Sequence, residues 1–154
     1  MDELSFACDA MLGRLARWLR LAGYDASFDP DVPGLALVGQ ARADGRWLLT
    51  CDRELAGMAG PRALLLRERT AVKQVSELRG RLPLAAHPSR FLTRCSRCNG
   101  LLEEVGREAV INLIPPYVAT HAGRFVACRE CGRVYWPGTH VERIVRTLET
   151  WFLA

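Results

Sequence analysis

FACDAMLGRLARWLRLAGYDA, Phe6 to Ala26, carries the pattern of a strand end, a helix and the start of a second strand. A short apolar run, Leu4 to Cys8, stops at one acidic residue, Asp9. Leu12, Leu15, Leu19 and Ala22 then recur at i, i+3, i+7 and i+10, one face of a helix. Arg14, Arg17 and Arg20 fall on the other side, which the spacing predicts to be solvated. Gly23 supplies a stop, and a second apolar run starts at Tyr24. Strand, acid, helix, turn and strand follow one another. The order predicts an open α/β sheet with Asp9 at the carboxyl end of its first strand, where such sheets bind ligands.

The pattern continues outward. Leu35–Ala43 reads as a second helix, ended by the turn signal Asp44-Gly45. Arg46–Thr50 reads as a third strand whose consecutive Trp47, Leu48 and Leu49 suit a parallel strand buried on both faces. It too stops near an acid, Asp52. A short helix over Arg53–Ala59, a strand over Arg62–Leu66, and a helix from a Thr70 cap to Leu82 follow, with Val72, Val75 and Leu78 inward. Near residue 90 the texture changes, and the chain divides into an α/β domain over 1–90 and a second unit over 91–154. The second unit carries CSRCN, about thirty mixed residues, CRECG and a closing helix from about Thr139 to Phe152.

Cys95-x-x-Cys98 and Cys128-x-x-Cys131 have the spacing of two zinc knuckles. Two residues between a pair let both sulfurs face one ion, and four protein ligands make a closed, structural zinc site. Two disulfides or four unligated thiols are the competing reading. Gly100 and Gly132 follow the pairs and relieve tight turns, while Arg94, Arg97, Arg129 and Arg133 flank them. Basic groups interleaved with Tyr117, Tyr135 and Trp136 suit single-stranded nucleic acid, although small zinc domains also use aromatics as core.

Composition bounds the rest. The 154 residues are 49% hydrophobic and carry a net charge of +4, with Lys73 the only lysine among 21 basic residues. A core of ordinary size is expected, and the charge excess is too mild to identify a partner. No apolar run is long enough to span a bilayer, and the acidic opening MDELSF is the reverse of a secretory signal, so a cytoplasmic chain is expected.

Asp9 and Asp52 each end a predicted strand. Adjacent parallel strands would bring the two carboxylates together, and a divalent cation such as Mg²⁺ or Mn²⁺ resolves their repulsion. Thr50 is placed to orient an aspartate or a water. Each acid also precedes a helix, so helix capping explains them equally. Asp25, Asp29 and Asp31 are further acids. Arg14, Arg17 and Arg53 are candidate contacts for a phosphate backbone.

The ordered motifs F-x-x-D-x-M-L-G-R-L-A-R-W-L-R-L-x-G-Y-D (Phe6–Asp25), G-R-x-L-L-T-x-D-R-x-L (Gly45–Leu55), R-C-x-x-C-N (Arg94–Asn99) and C-x-x-C-G-R-V-Y-W-x-G-x-H (Cys128–His140) resemble the Mut-seven carboxy-terminal RNase domain family. That resemblance implies a PIN-like three-layer nuclease domain joined to a zinc ribbon, and a metal-dependent ribonuclease acting on RNA. It implies Asp9 and Asp52 as active-site acids. Two departures stand out: Gly34 lies where an acid is expected, with Asp31 or Asp29 a possible substitute, and Cys51 replaces an arginine. The rival expectation is a non-catalytic RNA- or ribosome-binding module with a decayed acidic site. A haloacid-dehalogenase-type phosphatase is opposed by Met11, two residues past Asp9.

Overall fold

The computed structural model describes residues 3–153. Four parallel strands, β1 (Ser5–Cys8), β2 (Asp25–Phe28), β3 (Trp47–Thr50) and β4 (Ala63–Leu65), form one sheet in the order β2-β1-β3-β4. The helices between them are α1 (Gly13–Leu21), α2 (Gly34–Ala43) and α3 (Arg53–Ala59), with α4 (Ala71–Arg81) after the last strand. The expected elements are all present, with ends moved by one to a few residues. A 3-10 turn over Ala10–Leu12 precedes α1.

Both faces of the sheet are buried, for the reason read from the apolar runs. Period-two alternation sends Phe6, Cys8 and Leu49 to one face and Ala7 and Leu48 to the other. The first face packs against Leu12, Leu15 and Leu19 of the α1 segment and Val75 and Leu78 of α4. The second meets Leu37, Val38 and Ala41 of α2 and Leu55 of α3. This is a helix–sheet–helix sandwich. Val72 differs from expectation: it is exposed, because the inward stripe of α4 is completed by Gln74, whose amide donates to the Glu68 carbonyl at 3.0 Å. Thr70 precedes α4 but makes no side-chain capping bond.

The second sheet is antiparallel, β5 (Leu102–Val105), β6 (Phe125–Cys128) and β7 (Val134–Tyr135) in that order. Two short helices, α5 (Arg107–Val110) and α6 (Pro116–His121), are inserted between β5 and β6. Val110, Ile114 and Phe125 form their small core, with Trp136 packed against it. The closing helix α7 (Thr139–Leu148), extended by a π turn over Glu149–Leu153, packs on the first sheet's helices instead of this core. Leu148 and Phe152 are buried with α1 and α4 residues, and the Trp151 ring lies 4.6 Å from Trp18.

One cluster of polar bonds ties the two sheets together. β2 is an edge strand, and the amide and carbonyl of Ala26 point off that edge. Asn99, just after the first cysteine pair, accepts from Ala26 N through Oδ1 at 3.0 Å. Arg20 donates to the Ala26 carbonyl at 2.8 Å, and to the carbonyls of Ser96 and Arg97 at 3.2 and 3.0 Å. Arg20 is therefore buried, at 5% exposure, which corrects its expected place on a solvated face beside Arg14 and Arg17. Its long side chain carries the charge around the sheet edge to three carbonyls that would otherwise lack donors. Asn99 Nδ2 donates to Asp25 at 2.6 Å, and Arg46 meets the same carboxylate with two bonds of 2.6 and 3.1 Å. Gly23, at φ +99°, has no room for a side chain, since a Cβ would stand 2.5 Å from the Arg90 carbonyl oxygen.

Burial alone would raise the Asp25 carboxyl, but the Arg46 and Asn99 bonds outweigh it and hold it below the ordinary value. Its stabilising contribution is thus present above the unfolded-state value of about 3.9 and lost as pH falls through the lower folded value. In urea unfolding, Asp25→Asn is expected to be less stable than wild type at pH 7, with the difference shrinking in acid. Asn99→Ala orphans the Ala26 amide and should cost about 1–3 kcal/mol at neutral pH.

Candidate functional site

The four cysteine sulfurs lie within 4.8 Å of one another, the only group of three or more potential metal ligands among the described residues. Cys98 and Cys128 are 3.3 Å apart, Cys95 and Cys131 3.8 Å. A tetrahedral zinc with bonds of about 2.3 Å requires sulfurs about 3.8 Å apart, so the set fits a zinc ion with small adjustment. The pairing is built by backbone turns. Cys95 N donates to Gly100 O at 2.8 Å, and Cys128 N to Arg133 O at 2.9 Å. Gly100 is needed for close approach, because a Cβ there would stand 2.7 Å from Cys128 Sγ; Gly132 is needed for its φ of +75°. Burial pushes the Cys95 thiol up, but the Tyr135 hydroxyl at 3.0 Å and the backbone at Cys98 and Arg97 prevail and bring it down to about 7, which favours the thiolate a metal needs. Tyr135 therefore serves the sulfur site, and Trp136 serves the core. Tyr117 is exposed, its ring stacked on His121.

The other candidate is the carboxyl edge of the parallel sheet. β1 and β3 are direct neighbours, with Cys8 opposite Leu49. Chain connections leave β1 and β3 toward opposite faces, the switch point at which open α/β sheets form a crevice. Asp9 sits at the end of β1, its amide bonded to the Leu49 carbonyl at 3.0 Å. The fully buried Thr50 hydroxyl donates to Asp9 Oδ2 at 2.8 Å and accepts from the Asp52 amide at 3.0 Å. One hydroxyl thus links the two acidic positions. Both aspartates also cap: Asp9 Oδ1 takes the Ala10 amide, and Asp52 Oδ1 takes those of Glu54 and Leu55. Among the described residues, capping leaves Asp52 Oδ2 without a hydrogen bond, and Asp9 with spare lone pairs on both oxygens. The donor set suits a hard, oxygen-seeking cation.

The remaining acids separate by register. Cys8 pairs with Phe28, so Asp29 follows the end of β2 as Asp9 follows the end of β1. Asp31 lies beyond it in an exposed turn, its amide donating to Asp29 Oδ1 at 3.0 Å. Asp25 pairs with Ser5 at the opposite end of the strands and belongs to the clamp with Arg46. No three acids gather around one point among the described residues. Gly34 opens α2, and a Cβ there would press on Leu55 at 3.1 Å. Arg14 and Arg17 are exposed on α1, and Arg53 is exposed at the start of α3. Burial pushes the Cys51 and Cys8 thiols up, Cys8 to about 12, and Asp9 pushes both the same way, which disfavours the thiolate.

Asn99 was given no role by the motif spacing, whereas Asp29 was already one of three further acids. The asparagine immediately after a C-x-x-C pair was visible, as was an acid standing where β2 ends. No helix among the described residues is long and apolar enough to cross a membrane. A family model described as the Mut7-C RNAse domain matches residues 4–148. No curated protein and no solved structure matches the chain.

Purified protein is expected to hold one zinc per chain. Cys98→Ser should lose it, seen as a fall in metal content by atomic absorption; unchanged zinc in that variant contradicts the four-sulfur site.

Proposed function

The chain belongs to the Mut7-C RNAse domain family, and on that premise we propose that it is a divalent-metal-dependent ribonuclease with a PIN-like domain over residues 1–90 and a zinc ribbon over 91–154. The observation that carries the reading is the Asp9–Thr50–Asp52 linkage at the switch point of a parallel sheet. Asp9 and Asp52 would hold Mg²⁺ or Mn²⁺, which when bound supplies an activated water and neutralises charge at a phosphodiester. Thr50 keeps the Asp9 carboxylate turned toward the edge. The capping bonds at Asp52 Oδ1 fix that carboxylate, leaving Oδ2 to face a ligand. Asp29, at the adjoining strand end, is better placed than Asp31 to be a third acid. Arg14, Arg17 and Arg53 are proposed to approach the RNA backbone, and the four-cysteine site serves structure.

A second reading, an RNA-binding module without catalysis, is favoured by one observation: Gly34 occupies the place of an acid, and no third carboxylate completes a cluster. Single-stranded RNA cleavage in Mn²⁺, Mg²⁺ or chelator separates the two. The expected result is weak cleavage abolished by chelator, Asp9→Asn or Asp52→Asn. Asp29→Asn should slow it more than Asp31→Asn. RNA binding without cleavage in any metal selects the second reading.

A further inference from the structure

Beyond β4 the same carboxyl edge opens into a groove of about 730 Å³ between the loop after Leu65 and the outer side of α4. Its walls carry Arg67, Glu68, Lys73, Ser76, Glu77 and Arg81. Register ties it to the acidic edge: Thr50 pairs with Leu65, and the next amide, Leu66 N, donates to the Thr50 carbonyl at 2.8 Å. The groove therefore begins one strand away from Asp52.

The loop that forms one wall is held by α4 at several points. Glu77 accepts the amides of Arg67 at 2.9 Å and Glu68 at 3.1 Å. Gln74 donates to the Glu68 carbonyl at 3.0 Å, and Arg81 to the Leu65 carbonyl at 2.7 Å. Glu77 is engaged by these backbone amides and pairs with Arg81 at 3.5 Å. Arg67, Lys73 and the neighbouring Arg69 make no ion pair among the described residues. Lysine and arginine on a fixed wall, around an open polar groove, suit a chain of phosphates more than an apolar or cationic ligand.

We propose that this groove carries the backbone of single-stranded RNA past the Asp9–Asp52 edge, with Arg67 and Lys73 contacting phosphates and Glu68 as an opposing charge. RNA as the occupant rests on the ribonuclease reading above; the groove and its free cations do not. Arg67 and Lys73 are positioning residues, acting on strand placement and not on the reacting bond.

The test uses full-length protein in an Asp9→Asn background, with fluorescein-labelled oligouridylate RNA followed by anisotropy between about 50 and 200 mM salt. Arg67→Ala and Lys73→Ala are each expected to weaken binding several-fold and to make the log–log salt slope shallower by about 0.7, the share of one phosphate contact on a single strand. Glu68→Gln should tighten binding. Arg124→Ala, beside Glu104 on the second sheet, should leave it unchanged. Thermal melting confirms that each variant is folded. With Asp9 restored, Arg67→Ala and Lys73→Ala should raise KM for RNA cleavage while kcat stays near wild type. Parent-like affinity and slope in both groove variants overturn the proposal, as does the absence of salt-dependent RNA binding in the parent. If binding falls as expected but no protein cleaves RNA, the groove stands and the ribonuclease reading fails. If cleavage depends on metal and Asp9 while both groove variants bind like the parent, the groove alone fails.

Discussion

The edge of β2 is the constraint on which the rest of the molecule depends. A parallel sheet ending in an uncovered strand presents unpaired amides and carbonyls. Here Asn99 and Arg20 take the exposed groups of Ala26, and Arg20 also takes two carbonyls of the first cysteine knuckle. The knuckle thus covers the sheet edge, and its turn is in turn held by the sheet. Asp25, between Asn99 and Arg46, extends the same network to β1 through the bond from Arg46 to the Phe6 carbonyl at 3.3 Å. A metal that fixes Cys95 and Cys98 would therefore also fix where Asn99 sits, and with it the edge of the four-stranded sheet.

The far end of that sheet carries Asp9 and Asp52. The clamp lies at the amino ends of the strands and these acids at the carboxyl ends. Between Asp9 and Asp52 the only intermediary is a buried hydroxyl, which donates to one and accepts from the other's backbone. The Thr50 hydroxyl and the Ala10 amide hold the Asp9 carboxylate, and the amides of Glu54 and Leu55 hold that of Asp52. The groove beyond β4 adds unpaired cations on the same edge.

The sheet and its helices were legible because their signals are local. Leu12, Leu15 and Leu19 repeat with helical period, and Trp47, Leu48 and Leu49 form a run that suits a strand buried on both faces. Asp9, Thr50 and Asp52 could be named for the same reason, each standing at the end of such a run. Arg20 was misread because period assigns a direction to its Cβ but not to the end of a long side chain, which bends around the sheet edge to reach carbonyls 76 and 77 positions away. Asn99 was passed over because its partners, Asp25 and Ala26, are equally remote in sequence. Between the cysteine pairs, β5 and β6 are separated by two helices of only four and six residues, too brief for helical periodicity to register. The closing helix was visible as a helix, but nothing in its own sequence says that Trp151 packs on Trp18. Asp29 and Asp31 differ only by register, which is settled by pairing with β1.

We propose that Asp9 and Asp52 together hold a divalent cation at this edge. Titrating isotopically labelled protein with Mn²⁺ and recording amide broadening by NMR tests it most directly. Selective broadening at Asp9, Thr50 and Asp52, lost in Asp9→Asn and in Asp52→Asn, is the result the account predicts. Broadening centred elsewhere, or unchanged by both substitutions, would contradict it.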